Sequence, residues 1–325
     1  PAEERDTPAA EEPFRLIRVP GTLRMPYSES MANLALPLDA SDRLDNLLAE
    51  EQFDILHLHE PYPPSLPFAA VRLARSPVIA TFHTAAERLL SFQLMRPMVE
   101  RFLARLDGRI CTSQYTRRII SSYFPADYEV IATGVDTGVF YPPAGTATGA
   151  PGNSKPLVMF AAWGEPRKSL GLLLRAMRML PEDIPPFDLA VVGGEELSWR
   201  SNLVVPRRLR DKVGFSGVVD AASLSGHYRR ALVLIAPYAA CSHSGSILEA
   251  MAGGAAIIVP GRGGIRELVG EGTEGLLLDH PYSYNLAANL VDLLVNPELG
   301  VAMGAAAALK AEQHQWEKAG ARIDS

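Results

Sequence analysis

The sequence holds only two cysteines, Cys111 and Cys241, in 325 residues. That is too few for a disulfide framework and suits a reduced, cytoplasmic compartment. No apolar run exceeds about ten residues, short of the ~20 that a membrane-spanning helix needs. Positive charge is not in surplus. The formal net charge is −6, which argues against nucleic acid or an anionic membrane surface as the main partner. No signal peptide is read at the start. The chain opens on Pro1 rather than Met, so it reads as a fragment or a processed chain. The Walker phosphate loop and the Gly-x-Gly-x-x-Gly dinucleotide fingerprint are read as missing, which argues against a Rossmann oxidoreductase. No Ser/His/Asp arrangement stands out.

What is present describes a globular α/β chain. Apolar residues make up 47% and charged residues 21%, as in soluble proteins. A chain of 325 residues exceeds one ordinary core, so two domains are expected. Residues 1–13 are rich in Pro, Ala and Glu and read as disordered. Strands are then expected at Phe14–Pro20, Phe53–His59, Pro77–Thr84, Gly108–Ser113 and Tyr128–Asp136, separated by helices. Phe53–His59 reads as a buried strand. The alternation predicts a doubly wound parallel sheet over 14–140. Residues 141–155, rich in Pro, Gly, Ala and Thr, read as a linker. The alternation restarts over 156–310, with further helix to 325. Two such Rossmann-like units face each other across a cleft, and ligands are expected at the carboxyl ends of the strands.

Several residues at those ends carry candidate chemistry. Ala236–Gly254 reads as a strand, a loop of small residues, and a helix opening near Ser246 with Glu249 on its first turn. This is either a phosphate cradle, with amides and helix dipole aimed at an anion, or an ordinary βα turn. Arg167 and Lys168 open another helix. Cations there oppose the dipole unless an anion is present, which favours a diphosphate-holding role over a solvated charge pair. His83 ends a strand on the cleft side, as a structural histidine or a site residue. His57 and His59 share one face of their strand. A metal site there is rejected, because no third ligand or nearby cysteine accompanies them.

The segments FDILHLHEP, PVIATFHT, GVD at 134–136, GEPRKSLGLLL, SGVVD, SILEAMAGG, GGIRELV with EGLLLD, and QWEKA follow one another in this order. In this they resemble the family 4 retaining glycosyltransferases, nearest to the phosphatidylinositol mannosyltransferases and their bacterial relatives. The resemblance runs from about Phe14 to Ala321 and implies the GT-B fold. It also implies hexose transfer from a nucleotide-diphosphate sugar, GDP-mannose or a UDP-sugar, with no cofactor or metal required. The acceptor would be a sugar or lipid. By position, Lys168 matches the lysine that holds the donor phosphates, and Arg167 stands beside it. Glu249 matches the glutamate on the donor ribose, and Gly245, Ser246 and Ile247 match the loop on the diphosphate. His83 matches the histidine beside the donor sugar. Gly217, Val218 and Val219 fall where backbone holds the base. The last helix, 311–325, is expected to cross back to the first domain.

The sequence also departs from the family. Glu249 matches the second glutamate of the family's Glu-x7-Glu motif; the first, eight residues earlier, is replaced by Cys241, or by Ser242 if the alignment is anchored on Ala236–Pro237. The phosphate-binding arginine, six residues before Lys168, is replaced by Ala162. The basic membrane-binding helix is replaced by the acidic DASDRLDNLLAEE, which anionic lipid would repel. The first βαβ unit, with its Gly-rich acceptor loop, is read as missing. Two readings follow: an active retaining enzyme with a modified site, or a catalytically impaired relative that binds a nucleotide or protein partner without transfer.

Overall fold

The computed structural model describes residues 15–17, 22–27, 30–35, 39–63, 65–83, 90–142, 155–161, 166–193, 212–217, 219–237, 245–280 and 282–323. The expected disordered segment 1–13 and most of the linker lie outside these residues, as do Ala162, Val218, Cys241 and Ser242.

The first described elements differ from expectation. Residues 15–17 are not in a strand. The first strands are β1 (Thr22–Tyr27) and β2 (Ser30–Ala35), an antiparallel hairpin pairing Thr22 with Ala35 and Tyr27 with Ser30. Helix α1 (Asp39–Glu51) follows.

The first parallel sheet has the order β3 (Leu56–His59), β4 (Val78–Phe82), β5 (Gly108–Cys111), β6 (Glu129–Val130). Helices α2 (Leu66–Leu73), α3 (Leu90–Leu103) and α4 (Gln114–Tyr123) connect them. Two of these helices start on side-chain caps. Ser65 accepts from the Phe68 amide at 3.2 Å, and Ser113 from the Thr116 amide at 2.9 Å. β3 is not the buried strand expected from its composition. Leu56 and Leu58 pack inward against α1 and α2, while His57 and His59 are exposed on the opposite face.

The second sheet is six-stranded, in the order β12-β11-β10-β7-β8-β9. Its strands are β7 (Leu157–Ala161), β8 (Asp188–Val192), β9 (Val213–Gly217), β10 (Ala231–Ile235), β11 (Ala256–Pro260) and β12 (Gly275–Leu278). Helices α5 (Pro166–Met179), α6 (Ala221–Arg230), α7 (Gly245–Ala252), α8 (Ile265–Leu268), α9 (Ser283–Val295) and α10 (Pro297–Ala311) cover both faces. Every residue of β10 and β11 is buried, which explains why these strands read as unbroken apolar runs. Alternate residues serve two cores. Leu234, Ile257 and Val259 pack with α6, α7 and α10, while Val233, Ile235 and Ile258 pack with α5 and α9. Each sealed Leu or Ile contributes about 1.5–3 kcal/mol.

This strand order positions the site. The chain lays down β7, β8 and β9 in one direction, then returns to place β10 on the other side of β7. A doubly wound sheet opens its crevice where the order reverses, here between the carboxyl ends of β7 and β10. The string Gly270-Glu-Gly-Thr-Glu-Gly275 does spell Gly-x-Gly-x-x-Gly, against expectation. It runs from α8 into β12. A dinucleotide fingerprint runs from strand to helix, so this one holds no pyrophosphate.

The C-terminal residues return to the first sheet. Val135 and Gln315 form an isolated parallel bridge. A Cβ on Gly134 would fall 2.5 Å from the Trp316 ring and 2.8 Å from its Cα. Helix α11 (Trp316–Ile323) sets Ala319 and Ile323 against Ile79, Ile110 and Ile131.

Candidate functional site

Two helices open onto the crevice. α5 starts at Pro166, just after β7, and α7 at Gly245, after β10. A helix N-terminus carries about half a positive charge, and its first-turn amides have no intrahelical acceptor. β7 and β10 are hydrogen-bonded neighbours, so the two termini follow adjacent strands of the sheet. Gly245, Ser246 and Ile247 form the opening of α7. Arg167 and Lys168 lie on the first turn of α5, and their side chains fall outside the described residues.

Glu249 lies one turn into α7. Burial raises its carboxyl above the usual range, and the neighbouring Tyr228 hydroxyl opposes that rise. Tyr228, on α6, is fully buried. Its ring meets Phe140, from the segment between the sheets, edge-on at 6.0 Å. Gly253 touches it so closely that a Cβ there would lie 2.7 Å from the Tyr228 Cβ. Tyr228 is therefore locked between Phe140 and Gly253.

Gly217 ends β9 with φ of 59° and accepts the Gly193 amide at 2.7 Å through its carbonyl. β9 is three strand spacings from β10, or about 14 Å. The β9 end is thus displaced along the crevice from the two helix termini.

Histidines gather at the carboxyl ends of β3 and β4. His57 Nε2 lies 2.7 Å from Thr81 Oγ1, and His59 Nδ1 lies 2.8 Å from His83 Nε2. The rings of His57 and His59 stack at 4.8 Å, and those of His59 and His83 at 5.1 Å. The His83 amide donates to the Glu60 carboxylate. Burial, then the neighbouring His59 and His57, push His83 down to about 4, so it is neutral at pH 7. Burial lowers His57 and His59 as well. Among the described residues, no three His, Cys, Asp or Glu side chains are grouped to hold a metal ion.

One carboxylate ties the two sheets together. Glu267 on α8 accepts the Gln114 amide at 2.9 Å and the Tyr115 amide at 2.7 Å, at the start of α4. A carboxylate at a helix N-terminus is favoured by the dipole.

Comparison with known proteins places this arrangement. Residues 2–139 match the model described as Glycosyltransferase Family 4, and residues 148–310 match Glycosyl transferases group 1. The phosphatidyl-myo-inositol mannosyltransferase of Mycobacterium leprae (strain TN) is 30% identical over 319 residues, which are 98% of this chain and 84% of that protein. The chain belongs to the family 4, group 1 glycosyltransferases. The enzyme of the same name from Mycobacterium tuberculosis (strain H37Rv) is 31% identical over 311 residues, 92% of this chain and 80% of that one. Among solved structures, sucrose-phosphate synthase from Thermosynechococcus elongatus overlays with a TM-score of 0.72 at 20% identity, covering 87% of this chain and 75% of that one. Anabaena HepE, in complex with UDP and glucose, gives 0.69 at 16% identity, covering 88% and 80%. This glycosyltransferase therefore has the GT-B fold of two Rossmann-like units.

The structure sets Gly245, Ser246, Ile247 and Glu249 on the helix after β10, the first turn of α5 after the neighbouring β7, and Gly217 at the end of β9. His83 belongs to the other sheet. Sequence reading missed Tyr228, Glu60 and Glu267, and it named His59 without its contact to His83. The one signal available was position: His59 ends β3 and Glu60 follows it directly.

Two predictions arise here. In Tyr228→Phe, Glu249 loses the neighbouring hydroxyl that lowers its pKa, so its carbon-13 titration moves to higher pH. An unmoved titration contradicts the contact.

The second concerns acid. His57, His59, His83, His227 and His314 are all lowered by burial. Below pH 6.5 the unfolded chain therefore binds more protons than the native one, and stability falls from there toward the lowered values. Titrating from about 6.5 unfolded to about 4 folded, His83 alone costs about 2 kcal/mol at pH 5. The raised Glu249 acts in the opposite sense, as a single group. Urea midpoints lower at pH 5 than at pH 7.5 are expected, and equal midpoints contradict this.

Proposed function

We propose that this glycosyltransferase moves a hexose from a nucleotide-diphosphate sugar, GDP-mannose in the first instance, to a sugar or lipid acceptor with retention at the anomeric carbon. The observation that carries the reading is the pair of helix N-termini on hydrogen-bonded neighbouring strands at the switch point. Departure of the nucleoside diphosphate builds negative charge on its terminal phosphate. The α5 and α7 termini, Lys168 and Arg167 meet that charge in place, with no reorganisation needed as the bond breaks. In this reading those groups, rather than a metal or cofactor, supply the neutralisation.

The remaining roles belong to the same proposal. Glu249 accepts hydrogen bonds from the ribose, and the amides of Gly245, Ser246 and Ile247 receive the diphosphate. Backbone at Gly217, Val218 and Val219 holds the base. His83 stands beside the sugar as a neutral hydrogen-bonding group. An imidazolium there would repel the positive charge that develops at the anomeric carbon.

GDP-mannose and a lipid-linked acceptor are favoured by the relatives named phosphatidyl-myo-inositol mannosyltransferase. α1 carries five acidic residues and one arginine, so the acceptor is reached without an anionic lipid surface holding that helix. The buried Cys111 thiol, pushed up to about 12, is inert; we place the protein in the cytoplasm.

The test is incubation with GDP-mannose, UDP-glucose and ADP-glucose, with and without candidate acceptors, following released or transferred sugar by proton NMR. Product with the donor's anomeric configuration is expected. Binding of a donor without any turnover identifies instead a catalytically impaired relative, the outcome that Ala162 would favour. Neither binding nor turnover overturns the reading.

A further inference from the structure

We infer that His59 is a positioning residue for His83, fixing through one ring–ring hydrogen bond which nitrogen of His83 faces the sugar and whether that nitrogen carries a proton. This rests on the placement of His83 beside the donor sugar. The geometry supplies the rest. His59 Nδ1 lies 2.8 Å from His83 Nε2, across the parallel pair in which His59 is registered with Thr81. The rings stack with an interplanar angle of 23°. The His83 main chain is tied separately, its amide donating to Glu60.

A neutral imidazole has one N–H and one bare nitrogen. The contact occupies Nε2 of His83, which leaves Nδ1 for a ligand. It also couples the two tautomers, because an N–H must face a bare nitrogen. If His59 donates from Nδ1, then His83 carries its proton on Nδ1 and offers a donor to a sugar hydroxyl. If His83 donates from Nε2, its Nδ1 is bare and accepts. Either way His83 is confined to one tautomer, and the orientation of its ring is fixed by a partner on the adjacent strand. Second-layer hydrogen bonds of this kind set histidine tautomers elsewhere. His57 bonds Thr81 rather than His83, so it supports the stack and does not set the tautomer.

His59 is exposed, so changing it removes the contact without opening a core. The experiment compares wild type, His59→Ala, His59→Asn and His83→Ala. An asparagine amide sits as many bonds from Cα as imidazole Nδ1, so it can restore the contact. The first readout is the pair of ring nitrogen-15 shifts of His83 in the ligand-free protein. One tautomer is expected in wild type and His59→Asn, and an averaged mixture in His59→Ala. The second readout is sugar release from GDP-mannose and UDP-glucose. His59→Ala is expected to lose about tenfold in kcat, below the usual range for a catalytic proton-transfer group, with nucleotide affinity unchanged and His59→Asn restoring most of the rate. A His83 tautomer unchanged in His59→Ala overturns the inference, as does full turnover in His59→Ala beside an inactive His83→Ala. Full turnover in His83→Ala is a different result. It removes His83 from the sugar site and leaves the tautomer measurement to decide the contact. If neither donor turns over, that measurement again decides alone.

Discussion

Lys168→Ala is expected to lower sugar-donor turnover by about a hundredfold or more while leaving the fold as stable as before, or slightly more so. The two effects have different physical origins. Lys168 stands on the first turn of α5, a helix with no acidic residue in that turn. A cation there opposes the dipole by about 0.3–1 kcal/mol, and removing it relieves that cost. With a diphosphate in the crevice the sign reverses, because the cation and the helix terminus then act on the same anion. Losing one group that meets developing charge typically costs about 2.7–4 kcal/mol of transition-state stabilisation. Thermal unfolding and donor turnover, measured on the same preparation, check both halves. A Lys168→Ala protein that is destabilised in step with its loss of activity would mean that the lysine serves the fold instead. Arg167→Ala, one residue away, is expected to lose less, because the proposed reading leaves Lys168 on the diphosphate.

Gly275→Ala carries the largest expected effect on stability. Gly275 pairs with Ile257 across β11 and β12. A Cβ there would lie 2.0 Å from the Ile257 carbonyl oxygen, 2.8 Å from its carbonyl carbon and 3.0 Å from its nitrogen. All three are backbone atoms of a fully buried strand, so no side-chain rotation relieves the clash. The two strands must separate, which breaks ladder hydrogen bonds and opens the packing behind them. A loss of about 4 kcal/mol or more is expected, which for a domain of this size lowers Tm by roughly 10 °C. Gly226→Ala is the control with the opposite sign. Gly226 lies inside α6, and a Cβ there would meet nothing within 4 Å. Alanine should stabilise that helix by about 0.5–1 kcal/mol. Equal melting temperatures for the two variants would contradict the packing described.

The second half of the chain was legible because its strands are parallel and buried on both faces. Ala231–Ile235 and Ala256–Pro260 have no polar residue to confuse the pattern. The β1–β2 hairpin was not legible. Pro26 stands inside its first strand, and the adjacent Met31–Ala32 and Leu34–Ala35 break the alternation of its second. β3 misled in another way. LHLH reads as apolar enough to bury, but the exposed face is the one bearing both histidines. Burial is decided by what covers a face, which composition does not reveal.

The site divides along the same line. Gly245 to Glu249 was legible because strand, small-residue loop and helix are local. Their meeting with the start of α5 needs only strand order. The contacts Tyr228–Glu249 and His59–His83 were not legible. The first joins two separate helices, and the second spans 24 residues through the β3–β4 register. The bonds from Gln114 and Tyr115 to Glu267 reach across 153 and 152 residues, from a helix of the first sheet to one of the second. No local pattern marks a contact of that range.

The central claim is that a nucleotide diphosphate is held between the α5 and α7 termini. It is tested most directly by calorimetric titration of GDP, UDP and ADP into wild type, Lys168→Ala and Glu249→Ala. At least one nucleotide is expected to bind wild type and to weaken about tenfold or more in both variants. Absence of heat with all three, or equal affinity in wild type and both variants, contradicts the account.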